Sequence, residues 1–121
     1  MLKRINIGAE QVVSHMLLDM GLPAHLEGFR FLRSAVIMAH EDMNTVGSVT
    51  KLLYPELAKR YRTSNDKIER AIRSAIDVSW ERGNKRTFHR LFGYSMEDGL
   101  GKPTNSEYIA TLADEVRKIQ N

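Results

Sequence analysis

Apolar residues recur at every third or fourth position along most of the chain, as they do on the buried face of an α-helix. The first such stripe covers residues 9–20 and ends at Gly21, with Pro23 just beyond, a combination typical of a helix stop. A second stripe covers residues 28–44. Its inner side carries Phe29, Leu32, Val36, Ala39, His40 and Met43. No segment alternates apolar and polar residues as a half-buried strand would, so the pattern predicts five or six helices and no sheet.

The middle of the chain has the pattern of a short helix, a tight corner and a longer helix. Pro55 suits the beginning of the short helix, predicted over 55–61, because the first N–H groups of a helix have no partner within it. Thr63 and Asp66 are spaced as a capping pair, so the longer helix is expected to begin after the corner 62–64. Two helices joined in this way are the outline of a helix-turn-helix.

The longer helix is predicted over about 65–82, and it has two chemically different faces. We expect it to stop at Gly83, with that glycine in the left-handed conformation. One face groups the apolar and small residues Ile68, Ala71, Ile72, Ala75, Ile76, Val78 and Ser79. The other face groups the polar residues Asp66, Glu69, Arg70, Arg73, Ser74 and Asp77.

The charged residues in the first half of this helix suit the reading of DNA bases. Arg70 and Arg73 project from adjacent turns, and arginine can bond O6 and N7 of guanine together. Glu69 can accept a hydrogen bond from the amino group of cytosine. A recognition helix inserts this half into the major groove. The same charges also suit a solvated face with ion pairs from Glu69 to Arg73 and from Arg73 to Asp77, and the helix alone leaves both interpretations open.

The segments around this pair are predicted to be helical as well. Residues 48–53 suggest one or two helical turns, with a bend near Tyr54 because the residue before a proline resists the helical conformation. A short basic and aromatic helix is predicted over 84–92, closed by Gly93. Residues 95–102 are predicted to form a loop.

A second capping pair is expected to begin the last helix. Thr104 and Glu107 have the required spacing of three residues. The inner side of this helix is predicted to carry Tyr108, Ile109, Leu112, Val116 and Ile119. With 121 residues and no sign of an internal boundary, the chain is predicted to form a single domain over 9–121 after a flexible lead-in of residues 1–8.

The positive charge is concentrated around the predicted helix pair. The whole chain carries a net charge of +3. Residues 51–90 contain eleven Lys and Arg against five Asp and Glu, so the rest of the chain is slightly acidic. Such a block is the electrostatic footprint expected of a surface that binds phosphates, although chance clustering on a solvated surface would look the same.

Residues that could carry catalysis or hold a metal are scattered. The four histidines form no HExxH pair, and neighbours such as His40 and Glu41 point about 100° apart on a helix. The chain has no cysteine, which excludes disulfides and thiolate zinc sites. No glycine loop has the spacing of a phosphate cradle, and no serine has the flanking glycines of a nucleophile elbow. We therefore expect no enzyme activity, no metal and no cofactor.

The sequence also predicts the compartment. No apolar run approaches the roughly 20 residues of a membrane span, and the amino terminus lacks the pattern of a signal peptide. We expect a cytoplasmic protein with no membrane partner, associated with the nucleoid if it binds DNA.

Several short blocks of sequence, in order and at matching spacing, resemble one family. They are GLPAH at 21–25, YPELAK at 54–59, IERAIR at 68–73, WERGN at 80–84, LFGY at 91–94 and KPTNSE at 102–107. The family is the DNA-binding effector domain of the sporulation response regulator, the stage-zero sporulation protein A. The resemblance covers about residues 9–119. It implies a six-helix domain that binds a short DNA box and regulates transcription.

The resemblance also implies roles for individual residues. Glu69, Arg70 and Arg73 match the base-contacting residues of the family. Gly83 and Phe92 match the segment that faces the sigma factor of RNA polymerase, whereas Lys85, Arg86 and His89 depart from the neutral character of that segment and favour phosphate contact. Phosphates are expected at lysines and at the beginning of the recognition helix, with the candidates Lys59, Ser64, Lys67, Ser74 and Lys102.

The main hypothesis is therefore a sequence-specific regulator that binds double-stranded DNA. The family suggests head-to-tail pairing of two copies on DNA. Its phosphoacceptor receiver domain is not among these residues, which leaves an isolated effector domain or a natural short form as the two expectations. The alternative hypothesis is a protein-interaction module whose basic face docks an acidic partner such as a sigma factor.

Overall fold

The computed structural model describes residues 2–42, 48–97 and 101–120. Within these ranges the chain is all-α, as predicted, and has no strand. Its helices are α1 (Leu2–Asp19), α2 (Glu27–Glu41), α3 (Tyr54–Arg60), α4 (Asn65–Arg82), α5 (Lys85–Glu97) and α6 (Asn105–Gln120). A single wide turn of π-helix, Val49–Leu53, leads directly into α3.

Helix α1 is longer than the sequence pattern predicted. It begins at Leu2, so the expected lead-in of residues 1–8 is helical from its second residue, and the predicted start at Ala9 is wrong. Once a helix has formed, each added residue costs little, and no proline interrupts these residues. The predicted stop is confirmed, because Gly21 has a φ of +85° in the left-handed region.

Helix α2 lies at the centre of the core and packs against α1, α4 and α6. Its buried residues include Phe31, Leu32 and Val36. Gly28 allows α2 to approach α4 closely, since a Cβ there would collide with the Ala71 carbonyl oxygen. The helix ends at Glu41. Met43 and Asn44, which were predicted to belong to it, lie outside the described residues.

The helical conformation is not broken at the residue before Pro55. Leu53 keeps helical angles (φ −73°, ψ −51°), and α3 begins at Tyr54 and ends at Arg60 instead of covering 55–61. The preceding turn is of the wide π type, which brings the chain into α3 without a break at the proline.

Helix α4 has the predicted extent, but both of its ends are built differently from the prediction. Its cap is Ser64 and not Thr63, since the Ser64 hydroxyl accepts a hydrogen bond from the Lys67 N–H over 3.1 Å. Gly83 is extended (φ −68°, ψ 158°) and not left-handed. Glycine is needed there for space, because a Cβ would lie 2.5 Å from the Ser79 carbonyl oxygen and 2.6 Å from that of Met20.

The last two helices extend beyond some predicted limits. Helix α5 is capped by Asn84 and does not stop at Gly93. It kinks at Phe92 (φ −123°, ψ 25°) and continues to Glu97, so the predicted loop 95–102 is wrong for its first three residues, and 98–100 lie outside the described residues.

Helix α6 has the predicted reciprocal cap. The Thr104 N–H donates to Glu107 Oε1 over 2.9 Å, and the Glu107 N–H donates to Thr104 Oγ1 over 3.1 Å. Tyr108, Ile109, Leu112 and Val116 are buried as predicted. Ile119 is 54% exposed, so its predicted place on the inner side is wrong; it lies in the last turn of the helix, near the end of the chain.

A buried polar contact joins α4 to two neighbouring elements. The Ser79 hydroxyl donates to the Met20 carbonyl oxygen over 2.7 Å and lies 2.8 Å from the Tyr108 hydroxyl. Burial raises the pKa of Tyr108 far above its ordinary value, so this hydroxyl keeps its proton. The contact fixes α4 against the end of α1 and against α6.

Candidate nucleic-acid interface

The two faces of α4 are separated as the sequence predicted. Ile68, Ile72 and Ile76 are at most 1% exposed, and they anchor the helix in the core. On the opposite face Arg70 and Arg73 are exposed. The exposed face therefore offers two guanidinium groups from adjacent turns of a helix whose position is fixed by its buried side.

Glu69 and Arg73 form a close ion pair on this face. Arg73 Nη2 lies 2.6 Å from Glu69 Oε2, and the Arg73 side chain remains 54% exposed. Arg70 points back along the helix, where its Nε donates to the Asp66 carbonyl oxygen over 3.4 Å. These three residues, Glu69, Arg70 and Arg73, form a charged trio that is partly ordered by its own contacts, while Arg70 and Arg73 remain exposed. Such order reduces the entropy lost when a ligand binds.

The second ion pair of the solvated-face interpretation, from Arg73 to Asp77, is replaced by a longer-range one. Asp77 Oδ1 pairs with Lys102 Nζ, which comes from the segment before α6. This contact places Lys102 beside the charged face of α4. Spacing along one helix allows the Arg73–Asp77 pair but carries no information about a competing cation from another part of the chain.

An open groove of about 390 Å³ lies beside the trio. It is lined by α4 on one side and by the beginning of α6 on the other. The lining residues that carry charge are Glu69, Arg73, Asp77 and Lys102. Because the first N–H groups of a helix attract anions, the α6 end of this groove adds positive potential next to Arg73.

A hydrogen-bonded brace under the groove was not predicted. Asn105 Nδ2 donates to the Tyr54 hydroxyl over 2.8 Å and to the Glu69 carbonyl oxygen over 3.2 Å. Burial is the main cause that raises the pKa of Tyr54, so its hydroxyl stays neutral. Tyr54 and Asn105 both lie in blocks that resemble the family, but spacing along the chain does not predict contacts among three different helices.

The comparison with known protein families decides the relationship. A sequence profile described as "Sporulation initiation factor Spo0A C terminal" matches residues 13–116. The chain belongs to the Spo0A C-terminal domain family. This family consists of DNA-binding effector domains of sporulation regulators, and it is not an enzyme family.

The residues predicted to hold phosphates in this Spo0A C-terminal domain differ in their surroundings. Lys59, Lys67 and Ser74 are exposed, and each lies on α3 or α4. Ser64 is exposed too, but its oxygen already accepts the capping hydrogen bond, which leaves its hydroxyl proton to donate. Lys102 shares its charge with Asp77. Lys59 and Lys67 therefore extend the positive surface around Glu69, Arg70 and Arg73 without an ion-paired carboxylate in the described parts of the chain, whereas Ser64 and Ser74 offer neutral hydroxyl groups.

The two residues predicted to contact a sigma factor are not equally available. The Phe92 side chain is 4% exposed, with its ring 5.7 Å from that of Phe88 and 5.9 Å from that of Tyr108. Its predicted contact with a sigma factor stays a prediction, and at this burial the ring itself offers little surface to a partner. Gly83 is half-buried at the end of α4, beside a small apolar hollow lined by Trp80, Lys85 and Phe88.

In the described parts of the chain, no group of three or more His, Asp or Glu side chains is placed to hold a metal ion. None of the helices described above is both long and apolar enough to cross a membrane.

Proposed function

We propose that this Spo0A C-terminal domain is a sequence-specific transcription regulator that reads a short DNA box with α4 in the major groove. The single observation that carries the proposal is the position of Glu69, Arg70 and Arg73. All three lie in the first half of α4, on the face opposite its buried isoleucines. This is the part of a recognition helix that reaches base edges in a helix-turn-helix.

The three side chains would have different tasks. Arg70 and Arg73 would each donate two hydrogen bonds to a guanine. Glu69 would either accept from a cytosine amino group or hold Arg73 in position, and the 2.6 Å contact between Glu69 and Arg73 supports the second task. An arginine held by a carboxylate presents its remaining N–H groups in a fixed direction, which favours one base over the others.

The contacts to the DNA backbone would come from around this centre. Lys59, Ser64, Lys67, Ser74 and Lys102 are the proposed phosphate contacts. The beginnings of α4 and α6 would add main-chain N–H groups. Such contacts fix the position of the protein on the duplex but carry no sequence information. A head-to-tail pair of copies on DNA and a contact of the Gly83 region with a sigma factor are further parts of the proposal.

Selection of binding sites from a random DNA pool, followed by binding measurements, tests the proposal. The chain should enrich one short box, and binding to it should weaken with salt by a log–log slope of about −0.9 for each neutralised phosphate. The variant Arg73→Ala should lose about 1–3 kcal/mol of discrimination at one base pair. Unchanged discrimination in this variant would contradict the role of Arg73.

The same measurements separate DNA reading from the alternative hypothesis. A protein-interaction module would bind the selected box and a scrambled duplex equally and weakly. Its basic surface would still attract nucleic acid, but only through charge. A clear preference for the box that depends on Arg73 therefore favours the regulator.

A further inference from the structure

The corner between α3 and α4 holds an arginine in a backbone conformation that glycine usually occupies. Arg62 has a φ of +54°, in the left-handed region. Its N–H donates to the Lys59 carbonyl oxygen over 3.4 Å, and the Thr63 N–H donates to that of Ala58 over 2.9 Å. These two hydrogen bonds make a Schellman motif, and α1 ends in the same motif with Gly21 at the equivalent position.

The presence of a long side chain at this position has an energetic consequence. A Cβ in the left-handed region is crowded by the backbone, so glycine at residue 62 would make the corner more stable. A strained residue that the fold does not need points to a role for its side chain. Arg62 is exposed, so its guanidinium is available to a ligand.

A second arginine lies against the residue that precedes this corner. The guanidinium carbon of Arg30 lies 5.0 Å from the centre of the Tyr61 ring and 5.5 Å from that of Phe31. The Tyr61 ring is itself fixed, since its hydroxyl lies 2.5 Å from Ser34 Oγ. Attraction to the rings orders the guanidinium while its N–H groups remain open to an anion.

Both arginines lack an ion-paired acid among the described residues. Arg30 and Arg62 are exposed, and neither forms an ion pair with a carboxylate in the described ranges of the chain. Arg33, one turn further along α2, differs because its Nε lies 3.8 Å from a carboxylate oxygen of Glu10. The corner therefore has two exposed guanidinium groups near Tyr61, one stacked on its ring and one on the next residue of the chain, and no carboxylate in the described ranges offsets either charge by a direct ion pair.

The corner also lies next to the half of α4 that carries the trio. It leads into Ser64, the cap of α4. The first turn of α2, which carries Arg30, packs directly on α4, where a Cβ on Gly28 would collide with the carbonyl oxygen of Ala71. A duplex whose major groove receives the beginning of α4 would bring its sugar-phosphate backbone past the elements that flank this end of the helix.

We propose that Arg30 and Arg62 form a phosphate-binding site that grips the DNA backbone beside the groove entered by α4. This inference rests on the proposed function and adds two residues that hold the duplex. Arginine binds phosphate through two parallel hydrogen bonds, so each residue fixes both the distance and the orientation of the backbone. Because phosphates are the same in every sequence, the site raises affinity without changing base preference.

Fluorescence anisotropy with a labelled duplex tests the site. The duplexes are the selected box and a scrambled sequence of equal length, each measured over a series of NaCl concentrations. The variants are Arg30→Gln and Arg62→Gly. The control is Arg117→Gln, which removes an exposed arginine that is paired with Asp114 on α6. Thermal unfolding of each variant is measured alongside.

We expect Arg30→Gln and Arg62→Gly each to weaken binding to both duplexes by roughly three- to tenfold and to reduce the salt slope by about 0.9. The ratio between box and scrambled duplex should stay unchanged. Arg62→Gly should at the same time raise Tm by about 3–5 °C, because it relieves the left-handed conformation. Arg117→Gln should retain the affinity and salt slope of the unchanged chain.

Unchanged affinity and salt slope in both Arg30→Gln and Arg62→Gly would overturn the phosphate site. This holds even if Arg73→Ala abolishes the preference for the box, as the proposed function requires. A loss of the box preference alone in Arg30→Gln or Arg62→Gly would also overturn it, because that result indicates base contact. Equal binding of both duplexes by the unchanged chain would contradict the proposed function only. In that case weaker binding and a shallower slope in the two variants would still establish the phosphate site.

Discussion

Asn105 donates a hydrogen bond from its side chain to the main-chain carbonyl of Glu69, over a distance of 3.2 Å. The same Nδ2 atom lies 2.8 Å from the Tyr54 hydroxyl. One amide thus connects the first residue of α6 with α3 and with α4 at the residue that begins the charged trio. The orientation of the proposed reading face depends on a residue that is not itself on that face.

Replacement of Asn105 by alanine should loosen this connection. We expect a loss of about 1 kcal/mol in the free energy of unfolding, as for a typical hydrogen bond between partly buried groups. Preference for the box should fall, whereas affinity for a scrambled duplex should stay near its original value, because phosphate contacts tolerate small shifts better than base contacts. Ser106→Ala, at the exposed neighbouring position, is the control. Full preference in Asn105→Ala would show that the brace has no part in orientation.

Asp77 is predicted to weaken DNA binding in the natural chain. Its carboxylate pairs with Lys102 and lines the groove next to Arg73. It therefore repels phosphates and competes with them for the Lys102 ammonium group. Asp77→Asn should therefore bind DNA a few-fold more tightly at low salt, and the gain should shrink as salt screens the charge. The matched control is Asp114→Asn, since Asp114 is a similarly exposed, ion-paired carboxylate on α6. A gain of the same size in both variants would reflect net charge only.

Gly83 should tolerate no side chain. An added methyl group would lie 2.5 Å from the Ser79 carbonyl oxygen and 2.6 Å from the Met20 carbonyl oxygen, neither of which can move alone. We expect Gly83→Ala to lower the free energy of unfolding by about 2–3 kcal/mol, in the range of overpacked cores. Gly93→Ala is the control, because the nearest atom to its added carbon is 3.8 Å away. Chemical denaturation of both variants measures the difference, and equal stability would contradict the predicted clash.

The stability of the fold should fall in alkaline solution because of Tyr108. Burial raises the pKa of its hydroxyl in the folded state, whereas the unfolded chain releases this proton at a pH of about 10. The folded state therefore keeps its full stability below that pH and loses it progressively above, as the unfolded state becomes the one that ionises. Tyr108→Phe should have a lower Tm at neutral pH through the lost contact with Ser79, and a smaller decrease of Tm above pH 10. A parallel decrease in both proteins would assign the effect to other groups.

The sequence was sufficient wherever a structure depends on residues close together in the chain. The isoleucine spacing of α4 located its buried face, and the pair Thr104 and Glu107 located the beginning of α6. Both are local patterns with a direct physical cause. The outward position of Arg70 and Arg73 followed from the same periodicity, which is why their exposure could be predicted.

The predictions were wrong where two neighbouring residues could serve equally well as a helix cap, or where a contact with a residue distant in the sequence determines the structure. Thr63 and Ser64 are both competent caps, and the spacing to an acidic residue favoured the wrong one. Glycine at residue 83 was assigned to backbone freedom, but it is required by carbonyl groups of Ser79 and Met20, and the latter is far away in the sequence. Lys102 took the place of Arg73 beside Asp77 for the same reason. The spacing of apolar and polar residues along the chain does not reveal such contacts between distant residues.

The close approach of α2 and α4 at Gly28 implies that the reading helix does not adjust by itself to the duplex. With no side chain between the two backbones, α4 can tilt only if the centre of the core moves too. Any bending needed for a good fit would then fall on the DNA, so flexible steps flanking the box should favour binding without being touched. New base preferences would arise by exchanging the outward side chains of α4 on an unchanged frame.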